Sequence, residues 1–127
     1  MMRLVDRRLF VAAYALGLGA VSVLSLMPYG VDVGDVPQGD KLAHFAAYGL
    51  VALAGGLGGA RRGPAIGLAL VAVLCGLGLE AAQDFVPGRH ASGWDALANA
   101  AGALAGLAAA LALLARGPAW LRRRLAA

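Results

Sequence analysis

A small set of side chains in this sequence has the types and spacing that chemistry needs. Asp40, His44 and Tyr48 recur four apart, Glu80 and Gln83 three apart, and Asp95 and Asn99 four apart. In a helix each of these spacings puts its members on one face. An imidazole near a carboxylate can move a proton, so His44 and Glu80 are candidate acid–base groups, with Asp40 and Asp95 to orient them. Lys41 and Arg89 are cations suited to a phosphate or carboxylate, Arg through its bidentate fork. Tyr48, Gln83, Ser92 and Asn99 add neutral groups that could hold a substrate. A metal shell could draw on Asp40 and His44 with Glu80, His90 or Asp95. The chain lacks an HExxH motif and a His/Cys cluster, however, so no metal and no cofactor is assigned. Ser92 sits in no Gly-x-Ser-x-Gly context, which leaves serine-nucleophile chemistry without support.

The elements that must position these groups are written in apolar runs. Of 127 residues, 61% are hydrophobic and 14% charged, and mean hydropathy is +0.75. That is too little polar surface for a soluble domain of this size and places the chain in the membrane class. The net charge of +4 does not indicate nucleic acid, because the arginines sit in the gaps and ends between apolar runs. A membrane-spanning helix needs about 20 mainly apolar residues. Helices are expected over about 9–27, 41–60, 64–85 and 94–115. The short Arg61-Arg62-Gly63 link makes the second and third an antiparallel hairpin. The first run competes with a cleaved signal peptide, but it is longer than the usual apolar region and lacks a convincing A-x-A site. A retained helix is expected. Cys75 lies mid-run and reads as a small buried hydrophobe.

Orientation follows from the basic residues. The N-terminus with Arg3, Arg7 and Arg8, the Arg61-Arg62 link, and the C-terminal end with Arg116, Arg122, Arg123 and Arg124 share one side of a four-span chain. Both termini are therefore expected in the cytoplasm, with loops 28–41 and 85–94 outside. The tail Trp120–Arg124 reads as an interfacial anchor. Rows of small residues, Ala98/Gly102/Gly106 and Gly55/Gly59, allow close helix packing, and exposed rows of this kind would allow a homodimer.

The polar residues then fall in the outer half of three helices. At 1.5 Å rise per residue His44 lies about 6 Å below Asp40, and Glu80 and Asn99 about 7 Å below Phe85 and Trp94. A charge at mid-span costs about 2.5–3.5 kcal/mol on insertion scales. The cheap arrangement turns the three stripes toward one another, giving an all-α four-helix transmembrane bundle with a polar pocket open to the outer side. Simpler readings compete at single residues. Asp40 could be the N-cap of the second helix. Ser92-x-x-Asp95 has the form of a capping box. Lys41 could snorkel, and Trp94 fits an aromatic belt. His44 and Glu80 could form an interhelical pair that locks the bundle.

The order Asp40-Lys41-x-x-His44-Phe45-x-x-Tyr48, Glu80-x-x-Gln83, Pro87-Gly88-Arg89-x-x-Ser92-x-x-Asp95-x-x-x-Asn99-x-x-Gly102-x-x-x-Gly106 resembles the VanZ-like family. The resemblance covers the second to fourth helices and the loop between the last pair. It implies a small multi-pass protein of the bacterial cytoplasmic membrane. The family takes its name from a member linked to low-level resistance to the glycopeptide teicoplanin, and it implies no settled reaction. Three functions are then open: an enzyme acting at the outer leaflet on a phosphate-bearing lipid or lipid-linked cell-wall precursor, a non-catalytic binding or transport module for such a lipid or an amphipathic antibiotic, and a structural subunit whose polar residues hold helices together.

Overall fold

The computed structural model describes residues 6–30 and 34–126. Arg3 lies outside the described residues, as does the side chain of Arg124. The chain forms α1 (Arg7–Ser25), α2 (Gly39–Gly59), α3 (Arg62–Gln83), α4 (Gly93–Arg116) and a short α5 (Ala119–Ala126). The first four are each long and apolar enough to cross a membrane. Most begin about two residues ahead of the apolar runs, because flanking polar residues supply the first turn. Asp6 caps α1 by accepting from the Arg8 backbone N–H at 3.0 Å.

Neighbours in the bundle follow from contacts between small and large residues. Val11 lies against Gly58, Tyr14 against Gly55, and Val51 against Gly17, so α1 and α2 are antiparallel. Tyr48 on α2 packs on Gly76 of α3, again antiparallel. Helices α2 and α4 run parallel at backbone contact. A Cβ on Gly102 would overlap the Phe45 carbonyl, and one on Gly106 the Gly49 carbonyl. Only glycine permits that approach, and in lipid such packing replaces the hydrophobic drive between helices. The result is an up-down-up-down bundle in which α2 touches α1, α3 and α4. Its core is small: Ala52, Ala69, Ala72 and Ala103 surround Tyr14 and Tyr48. Large aliphatic side chains such as Leu16, Leu50, Leu74 and Leu104 point outward. An apolar exterior over a small-residue interior suits lipid as the solvent. α1 is built into this bundle, and its Tyr14 hydroxyl donates to the Leu68 carbonyl at 2.9 Å.

The two ends differ. Arg7, Arg61 and Leu125 of α5 line a common cavity at one. There Leu121 and Leu125 are buried against Leu57 and Ala110, while Trp120, Arg122 and Arg123 face outward. The expected tail anchor is thus a helix docked under the bundle. At the other end the two longer loops are pinned together. The Tyr29 N–H donates to the Pro87 carbonyl at 3.1 Å. The Tyr29 ring covers Gly88, and the Arg89 guanidinium covers Gly30. Both glycines hold positive φ, +73° and +72°, which glycine adopts at little cost.

Candidate functional site

At the end holding the longer loops, the polar residues of α2, α3 and α4 meet. His44 projects from the second turn of α2, and its Nδ1 lies 2.9 Å from Asn99 Oδ1 on α4. The Asn99 carbonyl oxygen can only accept, so Nδ1 carries the hydrogen, and the second ring nitrogen, Nε2, points away from this bond. Nε2 faces Asp95 Oδ2 at 3.8 Å, beyond hydrogen-bond length. Lys41 Nζ lies 2.8 Å from Asp40 Oδ2 and 3.5 Å from Asp95 Oδ1.

Glu80 enters from the last turn of α3 and is buried. Its Oε1 accepts from the Ser92 backbone N–H at 2.6 Å. Ser92 in turn is the N-cap of α4, accepting from the Asp95 N–H at 3.3 Å. In a capping box the residue at the Asp95 position would return its carboxylate to the Ser92 N–H. Here Glu80 on another helix fills that role, and the Asp95 carboxylate is free to turn toward His44 and Lys41. One donor atom each from His44, Glu80 and Asp95 lies within 4.8 Å of the others. Tyr48 follows one turn deeper on α2. It is 1% exposed, and its hydroxyl has no partner among the described residues.

Other members of the sequence-derived set sit apart. Asp40 is exposed and reaches the cluster only through Lys41. It is not the N-cap of α2: that position is Gln38, with φ 57° and no side-chain bond. Asp40 instead lies in the first turn, where a carboxylate suits the helix dipole. Gln83 is buried, but its amide donates to the Ser25 carbonyl at the end of α1, 3.0 Å away. Asp84 closes the α3–α4 loop by accepting from the Ala91 N–H at 2.7 Å. His90 and Trp94 are exposed.

A cavity of ≈ 190 Å³ opens beside the cluster, between α1 and α2. Val21, Leu24, Ala43 and Ala47 make its apolar wall, and Ser25, Asp40, His44, Tyr48 and Arg89 complete the lining with polar groups. The Arg89 side chain is half-buried, with no hydrogen bond or carboxylate partner among the described residues. The contribution of α1 had no signal in the sequence, because Val21 and Leu24 read as lipid-facing residues of a plain span. Comparison with family models, curated proteins and solved structures gives no match to this chain.

Proposed function

We propose that this chain is a multi-pass protein of the bacterial cytoplasmic membrane that captures an anionic, phosphate-bearing envelope lipid, or a lipid-linked cell-wall precursor, at the outer leaflet. One observation carries the reading. A half-buried guanidinium with no carboxylate bonded to it among the described residues closes one end of a cavity that has an apolar wall on α1 and α2 and Asp40 and His44 on its polar side. Such a group is costly to bury unpaired, and an oxyanion satisfies it through two parallel N–H bonds. The apolar wall receives the start of an acyl chain, whose remainder stays in the bilayer. The resemblance to the VanZ-like family would imply the same setting.

Orientation rests on charge. Nine of the eleven lysines and arginines belong to the ends joined by the Arg61-Arg62 link. The positive-inside rule puts these ends in the cytoplasm and Lys41 and Arg89 outside. His44, whose Nε2 faces Asp95, would supply the base for any reaction on a bound headgroup, and Lys41 and Asp95 hold its surroundings polar. A link to glycopeptide resistance follows if the captured lipid is a cell-wall precursor.

The test is native mass spectrometry of the protein released from bacterial membranes. The wild type should carry a phosphate-containing lipid, and Arg89→Gln should lose it while keeping its helical circular dichroism. Equal lipid occupancy in the folded variant would overturn the reading. The structural-subunit reading would then stand, since the His44–Asn99 and Glu80–Ser92 bonds already join the helices.

A further inference from the structure

The three donors of the cluster suggest more than proton transfer. We propose that His44, Glu80 and Asp95 bind a divalent transition-metal ion of the Zn²⁺ class. The ion would join α2, α3 and α4 and keep one coordination position for an exogenous oxygen.

Four observations carry this. The first is the direction of His44. With Nδ1–H given to Asn99, Nε2 faces a carboxylate oxygen at 3.8 Å. An imidazole nitrogen and a carboxylate oxygen aimed at each other across that gap are both metal-ligand atoms. A carbonyl holding the far nitrogen of a metal-bound histidine is also the usual outer-shell arrangement. The second is charge. Glu80 and Asp95 are two carboxylates with donor oxygens within 4.8 Å, on two helices long and apolar enough to cross a membrane. Lys41 answers Asp40 first, at 2.8 Å, and Asp95 only at 3.5 Å. A divalent ion balances Glu80 and Asp95 together.

The third is what remains unpaired. Among the described residues Asp95 Oδ1 is buried without a hydrogen bond and has only the Lys41 ammonium at 3.5 Å, and the hydroxyl of Tyr48, a residue only 1% exposed, has no hydrogen-bond partner. Tyr48 stands one turn from His44 on α2 and packs on Gly76, one turn from Glu80 on α3. Metal coordination uses the first, and a metal-bound water reaching the hydroxyl would use the second. The fourth is support. Glu80 is fixed by the Ser92 N–H at 2.6 Å, so its other oxygen is held in place. Ligands about 2.1 Å from one tetrahedral ion stand about 3.4 Å apart, so the ion would draw the widest present spacing in by more than about an ångström. One imidazole with two carboxylates suits Zn²⁺ or Mn²⁺, and three protein ligands leave a position open.

The site needs no lipid, so its test uses the metal alone. The detergent-solubilised full chain is stripped with EDTA and titrated with Zn²⁺ by calorimetry. One saturable site per chain and a raised thermal midpoint are expected. His44→Gln, Glu80→Gln and Asp95→Asn should each weaken it at least about ten-fold. His90→Gln and Asp35→Asn, both on exposed loop positions, should not. Co²⁺ added to the stripped wild type gives a readout free of folding defects: intense visible bands of a low-coordinate ion are expected. A spectrum like that of aqueous Co²⁺ would overturn the proposal, as would binding that survives the three cluster substitutions or disappears with His90→Gln.

Discussion

Replacing Glu80 by methionine removes the acceptor that caps the Ser92 N–H from another helix, while keeping much of the side chain's length. The bond lost is charge-assisted and short, 2.6 Å. Such bonds contribute about 1.5–3 kcal/mol in proteins generally. Interhelical bonds in membrane proteins average only about 0.6 kcal/mol and reach about 1.7, because the unfolded segment also finds partners in the bilayer. The burial of Glu80 and the helix-capping role of Ser92 place this bond near the top of that membrane range. The expected cost is about 1.5 kcal/mol, roughly a ten-fold change in the folded-to-unfolded ratio. Glutamine keeps a neutral acceptor at the same reach, so Glu80→Gln should cost only about 0.5 kcal/mol. Reversible unfolding in mixed micelles, followed by helical circular dichroism, measures both. The ordering wild type, then Gln, then Met is the informative outcome. Equal or greater stability for Glu80→Met would mean that desolvation of the carboxylate outweighs the cap, and the account of how α3 fixes the start of α4 would fail.

Further consequences can be read from the same contacts. Gly106→Ala forces α2 and α4 apart at backbone contact and should cost about 1–3 kcal/mol or more, seen as a lowered unfolding midpoint; an unchanged midpoint would contradict the close pairing. Gln83→Leu leaves the buried Ser25 carbonyl without its partner and should lose about 1 kcal/mol, while Zn²⁺ titration of the folded variant stays unchanged. A cysteine placed at His90 should react with a membrane-impermeant thiol reagent added outside intact cells, and one at Arg61 should not; the reverse pattern would put the polar end in the cytoplasm.

Much of the architecture was legible because lipid imposes it. Four apolar runs bounded by arginine, glycine and proline mark four helices, and the i, i+4 spacing of Asp40, His44 and Tyr48 marks one side of α2. The expectation that His44 and Asn99 approach each other came from cost alone, and they lie 2.9 Å apart. Gly102 and Gly106 were readable as a packing row, though not as a seam against the Phe45 and Gly49 carbonyls. What spacing could not reveal was how the hydrogen bonds are shared. Ser92-x-x-Asp95 looks like a local capping box, yet Glu80 supplies its second half, and that exchange frees Asp95. Gln83 carries the same chemistry as Asn99, but one turn of α3 sends its amide to the end of α1 instead. Asp40 looked like a cap, yet α2 begins ahead of it, and the carboxylate spends itself on Lys41. In each case the partner lies on an element distant in sequence, where periodicity carries no information.

The most direct check on the convergence of these helices is the ¹⁵N NMR spectrum of His44 in the metal-free protein. A hydrogen on Nδ1 and a marked shift of the ring signals in Asn99→Leu are the expected results. A hydrogen on Nε2 instead, or ring signals indifferent to the loss of Asn99, would mean that α2 and α4 do not present these groups to each other.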